Sequence, residues 1–204
     1  SVVFGSSLAG LTSHPARYGW NWDVVLQAQG GFSQFLPGAL SKLITGQPAV
    51  AGWSELAFAQ EQLDGHVLPV MGIERHEEPV QPPTIRGRPL ASSREIQLGE
   101  TTLRQLGKRI GDTVLVGTGK NAQTLTITGT VALPSFGLAT GDHVSLGRGA
   151  LMTEGTLLAL QGHPPGPVTR QEALDISLPS AVAIDLVPGT TAAQRSALVH
   201  RIVS

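Results

Sequence analysis

Hydrophobic and polar positions alternate most cleanly at residues 124–131, TLTITGTV. Leu125, Ile127 and Val131 fall on one side and four threonines on the other, which predicts a strand with one buried and one wet face. Shorter strands are predicted upstream at 95–98 and 113–116. Between them Leu103 and Leu106 share one face of a short helix that Gly107 stops, and Gly111-Asp112 makes a tight turn. Near the end of the chain Val182, Ile184 and Leu186 point inward against Ala183 and Asp185. Pro188-Gly189 turns the chain there, and Thr191 with Gln194 forms a capping box for a helix carrying Leu198, Val199 and Ile202. At the other end, 23–28 reads as a strand with Val24 and Leu26 facing away from Val25 and Gln27. Ser33 caps a helix that runs to about residue 45, with Leu36, Leu40, Leu43 and Ile44 as its apolar stripe and Gly46 as its stop. Two strand-like runs follow at 49–59 and 67–73, joined by the turn Leu63-Asp64-Gly65. Residues 74–83 are charged and proline-rich, which suits a linker.

This order of parts defines an α+β chain. Strand, helix, strand, strand, then an insertion, then strand and helix make a split ferredoxin-like βαβ core layer with an inserted small β-rich, barrel-like subdomain. The boundaries fall at 1–74 for the first part of the core, 75–170 for the insertion and 171–204 for the second part. The strands at 23–28, 67–73 and 181–187 are expected in one sheet with both helices on the same face. No internal repeat is visible in the sequence.

Charged residues make up only 14% of the chain, while 25 glycines and 14 prolines supply turns, so the composition favours a β-rich fold over a helical bundle. The net charge of −1 gives no electrostatic footprint for nucleic acid. With no cysteine, thiol chemistry, disulfides and cysteine-based zinc sites are excluded. No stretch approaches the ~20 apolar residues that span a bilayer, and no signal-peptide pattern opens the chain. Ser1 leads directly into Val2-Val3-Phe4, and His200-Arg201-Ile202-Val203-Ser204 ends inside a helical pattern. We read the chain as a fragment whose membrane segments lie outside it.

Signals for catalysis are poor. Gly117-Thr118-Gly119-Lys120 looks like the end of a phosphate loop, but Val114 stands where its first glycine belongs and Asn121 where the magnesium-binding hydroxyl belongs. It reads as a hairpin tip. Gly5-Ser6-Ser7-Leu8-Ala9-Gly10 has the wrong spacing for a nucleophile elbow. The six histidines are scattered without metal-ligand spacing, and the densest polar run, Glu74-Arg75-His76-Glu77-Glu78, reads as a solvated connector. Asp112 and Asp142 follow glycines in turns, where an aspartate ordinarily caps backbone N–H groups. No catalytic, cofactor-binding or metal-binding residue is assigned, and the expectation is that the chain is not an enzyme.

Two segments carry a resemblance. Residues 85–131 hold Gly87-Arg88-Pro89, then Glu95, Ile96, Leu98 and Gly99, then Leu106-Gly107, Ile110-Gly111-Asp112 and Val114, then Ile127 and Gly129. Residues 7–31 hold Ser7, Leu8, Leu11, Pro15, Tyr18, Gly19, Trp20, Trp22 and Asp23. In this order they resemble the extracytoplasmic domain of FtsX/MacB-like ABC transporter permeases of the actinobacterial type. The resemblance covers about a third of the chain, and it implies a core that follows a first membrane helix, without cofactor. It implies a domain in the cell membrane's outer aqueous space that contacts a substrate or partner, an extracytoplasmic protein or a lipid or peptide. It also implies a separate cytoplasmic ATPase as partner of the parent protein, a dimeric parent, and no nucleic acid. The segment from Leu106 to Val116 also occurs in double-psi-type barrels, so a small-molecule-binding or enzymatic barrel is the alternative. Trp20 and Trp22 are candidate membrane-proximal residues, or they pack the first strand. Phe136 and Leu138, apolar in a glycine-punctuated loop at 134–149, are candidate partner contacts, or they close the end of the barrel.

Overall fold

A long hairpin organises the sheet. In the computed structural model, which describes residues 21–27, 41–77, 80–134, 147–163 and 180–203, β2 (Val50–Leu63) and β3 (His66–Glu77) pair antiparallel from Gly52↔Glu77 to Leu63↔His66. Asp64 and Gly65 close it with φ of 45° and 84°. Positive φ at both central residues gives the twist a two-residue hairpin needs, which is why an Asp-Gly pair stands there. Both strands outrun their expected lengths. The run 74–77 belongs to β3 and is not a linker, because its backbone is satisfied by pairing with 52–55.

The other strands are β1 (Val24–Gln27), β4 (Thr84–Gly87), β5 (Glu95–Leu98), β6 (Thr113–Val116), β7 (Gln123–Val131), β8 (Ala150–Thr153) and β9 (Ser180–Leu186). The helices are α1 (Ser41–Ile44), α2 (Glu100–Gln105), α3 (Glu154–Leu160) and α4 (Ala192–Val203). The class is α+β: one mixed sheet, ordered β1-β9-β2-β3-β8-β5-β7-β4, with few helices. At one end β9 lies antiparallel between β1 and β2, so β1 and β2 run parallel with β9 inserted between them. The expected strands at 23–28, 67–73 and 181–187 therefore share one sheet.

At the other end the pairings run full circle. Leu63 on β2 pairs with Val116 on β6, Gly117 N–H donates to the Gln62 carbonyl at 2.8 Å, and β6 pairs with β7. The circuit β2-β3-β8-β5-β7-β6 is thus closed, and closure leaves those strands without a free edge. Its halves match. The antiparallel β5–β8 contact is centred on Gln97↔Leu151. Each of these strands runs into a short helix, and each has a parallel partner, β7 for β5 and β3 for β8. Topology repeats here without any repeat in sequence.

Three apolar clusters fill the fold. Leu68, Val70, Ile96, Ile127, Met152 and Leu157 belong to the first, inside the closed circuit. Trp22, Leu56, Met71, Leu133 and Leu151 belong to the second, on the opposite face of β2–β3. In the third, Ile44 of α1 and Leu198 and Ile202 of α4 pack on Trp53, Val182 and Ile184, so both helices cover the same sheet face. The period-2 reading of β9 holds, but Ala183 is buried too, against the second cluster. Two corrections concern exposure. Leu43, expected in the apolar stripe, is 43% exposed, whereas Ile44 is fully buried. On β7 only the first threonines are wet: Thr128 and Thr130 are buried, at the end of the strand where β4 pairs beside it.

Local chemistry explains the ends. Thr191 Oγ1 accepts from Gln194 N–H at 3.2 Å and Gln194 Oε1 accepts from Thr191 N–H at 2.8 Å, the reciprocal box the sequence predicts. After α2, Lys108 N–H donates to the Leu103 carbonyl and Gly107 takes φ 64°. Glu95 binds Arg88 through both oxygens and also accepts from the N–H groups of Ala91 and Ser92. The Arg88 guanidinium, helped by those amides, holds the Glu95 carboxyl down at about 2.

Candidate functional site

The face of β2–β3 that carries Trp53 and His76 carries two carboxyl groups, Glu55 and Glu74, at the next position toward the closed circuit. Alternation along β2 puts Trp53, Glu55 and Ala57 on one side and Ser54, Leu56 and Phe58 on the other. Directly opposite on β3 stand His76, Glu74 and Gly72. Trp53 belongs to the helix-covered cluster and Ala57 to the cluster inside the circuit. Glu55 and Glu74 thus lie where the two cores meet, as a like-charged cross-strand pair.

A third carboxyl arrives from elsewhere. β8 runs parallel to β3, with Thr153 beside Ile73, and leads straight into α3. Thr153 caps that helix by accepting from Thr156 N–H at 3.2 Å, and the Thr156 hydroxyl donates to the Ser93 carbonyl at 2.7 Å. The first turn can rest on β3 because residue 72 is glycine: a Cβ there would come within 3.0 Å of both Glu154 Cα and Leu157 Cδ2. This close approach brings Glu154 to Glu55 and Glu74.

Burial governs the site's acidity. Desolvation, followed by repulsion from Glu74, lifts the Glu55 carboxyl to about 7. Desolvation, followed by repulsion from Glu55 and Glu74, lifts Glu154 to about 8. Both causes penalise the ionised form. On the outer side His76 stacks on Trp53 with ring centres 4.0 Å apart, and its Nε2 stands 3.7 Å from Glu55 Oε1, too far for a hydrogen bond. Glu55 and Glu154 can hold and release protons near neutral pH. Among the described residues no three His, Asp or Glu side chains converge as metal ligands.

Two other places merit mention. At the far end of α3, Gln161 Nε2 donates to Glu61 Oε1, and burial raises the Glu61 carboxyl. A groove of about 360 Å³ lies between the start of β2 and α4, lined by Gln47, Ala49, Pro188, Thr190, Leu198 and Arg201. Arg201 Nη1 donates to Gln47 Oε1 across it at 2.7 Å.

Of the residues singled out in the sequence, Trp20, Phe136 and Leu138 lie outside the described residues. Trp22 is 4% exposed and packs in the cluster with Leu56 and Leu133. Its ring is covered by the protein itself. Glu74 and His76 were read as a connector, but pairing with β2 makes them part of the site. Glu55 was missed although it is a charge on the apolar parity of a strand. Glu154 was missed because β8 and α3 were not anticipated; the cap spacing Thr153 to Thr156 beside an Ala-Leu-Met run is the signal that marks them.

No family model matches the chain, and no curated protein matches it. Among the described residues, no helix is long and apolar enough to cross a membrane.

Proposed function

We propose that this chain is a non-enzymatic extracytoplasmic domain of an ABC transporter permease subunit, held in the cell membrane by segments outside it. One observation carries the reading. The first and last described strands lie side by side, Val24 against Ile184 and Gln27 against Ala181, so the start of β1 and the end of β9 share one end of the sheet. A domain slung between two membrane segments needs that arrangement. In this reading β1, β2, β3 and β9 with α1 and α4 form the split ferredoxin-like layer, and 75–170 is the inserted barrel-like subdomain. The long β2–β3 hairpin enters both, so a displacement of one is felt by the other. The motifs at 7–31 and 85–131 support the same family. Phe136 and Leu138 are the candidate contacts with an extracytoplasmic protein or a lipid or peptide substrate. ATP hydrolysis belongs to a separate cytoplasmic partner of a dimeric parent.

The test is purification of the intact parent from membranes. An ATP-hydrolysing partner should travel with it; a parent that is soluble and carries no ATPase contradicts the proposal.

A second reading, a double-psi-like ligand-binding barrel, is favoured by the closed circuit and by its Gly111-Asp112 turn. There Gly111 N–H donates to the Ile127 carbonyl, Ile127 N–H to the Asp112 carbonyl, and Arg109 N–H to Asp112 Oδ2. Under that reading the parent has no transport partner.

A further inference from the structure

We propose that the groove between the start of β2 and α4 is a binding site for a small carboxylate carrying an apolar tail. Its volume of about 360 Å³ falls in the range of small-molecule sites. The side chains it presents offer donors, a positive charge and carbon surface, and no Asp or Glu lines it.

Arg201 supplies the charge. An arginine in the last turn of a helix ordinarily serves the helix dipole. Here the one hydrogen bond it makes among the described residues crosses the groove, from Nη1 to Gln47 Oε1 at 2.7 Å. Gln47 is itself held, since its Nε2 donates to the Leu43 carbonyl at 2.9 Å. The guanidinium is thus positioned by one partner while its other N–H groups stay uncommitted. No carboxylate answers it: the ion pairs among the described residues belong to His76, Arg86, Arg88 and Lys108. A carboxylate is the group that matches a guanidinium fork, through two parallel bonds.

Gln194 adds a second donor. It shares a face of α4 with Leu198 and Arg201 by helical spacing, and all three line the groove. Its Oε1 accepts from the Thr191 N–H at 2.8 Å and from the Thr191 hydroxyl at 3.0 Å. The capping box therefore fixes the amide and leaves Nε2 as the free end. The Thr190 hydroxyl is already engaged, donating to the Val187 carbonyl at 2.6 Å.

The tail has its own surface. Pro48, Val187, Pro188 and Leu198 supply it, and Val187 is 40% exposed, so an apolar group laid there removes carbon surface from water. The walls are fixed by the backbone. Val50 N–H donates to the Gln47 carbonyl at 2.9 Å, Val187 N–H to the Ala49 carbonyl at 3.0 Å, and Thr190 N–H to the Val187 carbonyl at 3.1 Å. A preformed groove spares a ligand the cost of ordering it. Carboxylates on apolar tails come from acyl chains and from the C-terminal ends of apolar peptides, and the recognising chemistry is common to both. The site belongs to the chain itself and stands under either reading of the parent.

Amide NMR titration of the 204-residue chain at neutral pH tests it, with octanoate and N-acetyl-leucyl-leucine as probes and octylamine as the cationic control. At least one acid should give saturable shifts at residues 47–49, 187–190 and 194–201, with a Kd on the order of 1 mM or tighter. Octanoate alone would assign acyl-chain acids, and the dipeptide alone peptide ends. Arg201→Gln should raise Kd about tenfold or more, the loss of a charge-assisted pair. Arg104→Gln, an exposed change on α2 outside the groove, should leave it unaltered. No saturation by either acid, equal binding of octylamine, or an unchanged Kd in Arg201→Gln overturns the site. Should Arg201→Gln fail to fold, Ala197→Phe decides. This exposed position lines the groove, so the added ring should fill it and abolish binding, and an unchanged Kd there overturns the proposal.

Discussion

Gly99→Ala is expected to destabilise the chain by on the order of 3 kcal/mol, a large part of the ~5–15 kcal/mol that holds a domain folded. A Cβ at Gly99 would stand 2.3 Å from the Gly147 carbonyl oxygen, 2.4 Å from its carbon and 2.8 Å from Arg148 N. All three are backbone atoms, so no side chain can swing aside. The same place gathers the bonds that dock α2 onto the strand entering β8. Gly99 N–H donates to the Gly149 carbonyl at 2.9 Å, Thr101 N–H to the Gly147 carbonyl at 2.8 Å, and Gly149 N–H to the Thr102 hydroxyl at 2.8 Å. Moving the backbone to make room breaks them together. Gly155→Ala is the built-in control: its added methyl meets nothing within 4 Å, and inside a helix it should be neutral or stabilise by up to about 1 kcal/mol. Urea unfolding of the two variants should separate them widely; equal midpoints would show that α2 is not packed as described.

Trp53→Ala is expected to cost about 3–5 kcal/mol, the range for removing a fully buried large aromatic side chain. Trp53 is completely buried beneath α1 and α4, beside Val182, Ile184 and Leu198. Its loss also removes the ring on which His76 stacks and opens Glu55 to water. Since desolvation is the main cause of that carboxyl's raised pKa, Glu55 should then titrate lower, and the dependence of stability on pH between about 5 and about 7 should flatten. Trp53→Phe keeps most of the packing and should cost about 1–2 kcal/mol. Thermal melts at pH 5.5 and pH 8.5 check both effects. A loss in Trp53→Ala no larger than in Trp53→Phe would place this residue outside the core.

Local signals made much of the fold legible. The alternation in β7 and β9, the Asp64-Gly65 turn, the capping box at Thr191 and the Gly107 stop are each decided within a few neighbouring residues, and each stands where the pattern puts it. What was not legible depends on distant contacts. β3 outran its expected end because pairing with β2 satisfies a charged segment that looks like a connector by composition. Thr128 and Thr130 are dry although alternation puts them on the wet face, and no period-2 pattern encodes that burial. The candidate site is the extreme case. Its carboxyls come from positions 55, 74 and 154, and burial at a meeting of two cores raises the proton affinity of Glu55 and Glu154. In the sequence the misplaced polarity of Glu55 on an apolar face and the cap spacing from Thr153 to Thr156 hint at it.

The permease reading places this domain on the outer side of the membrane, and that placement can be read directly. The chain has no cysteine, and Ile85 on β4 is 61% exposed, so Ile85→Cys places one accessible thiol in the domain at little structural cost. The intact parent carrying this change would be treated in whole cells with a membrane-impermeant maleimide and compared with the unsubstituted parent. The permease reading predicts labelling at residue 85 without lysis. Labelling only after the cells are broken would put the domain in the cytoplasm and contradict it.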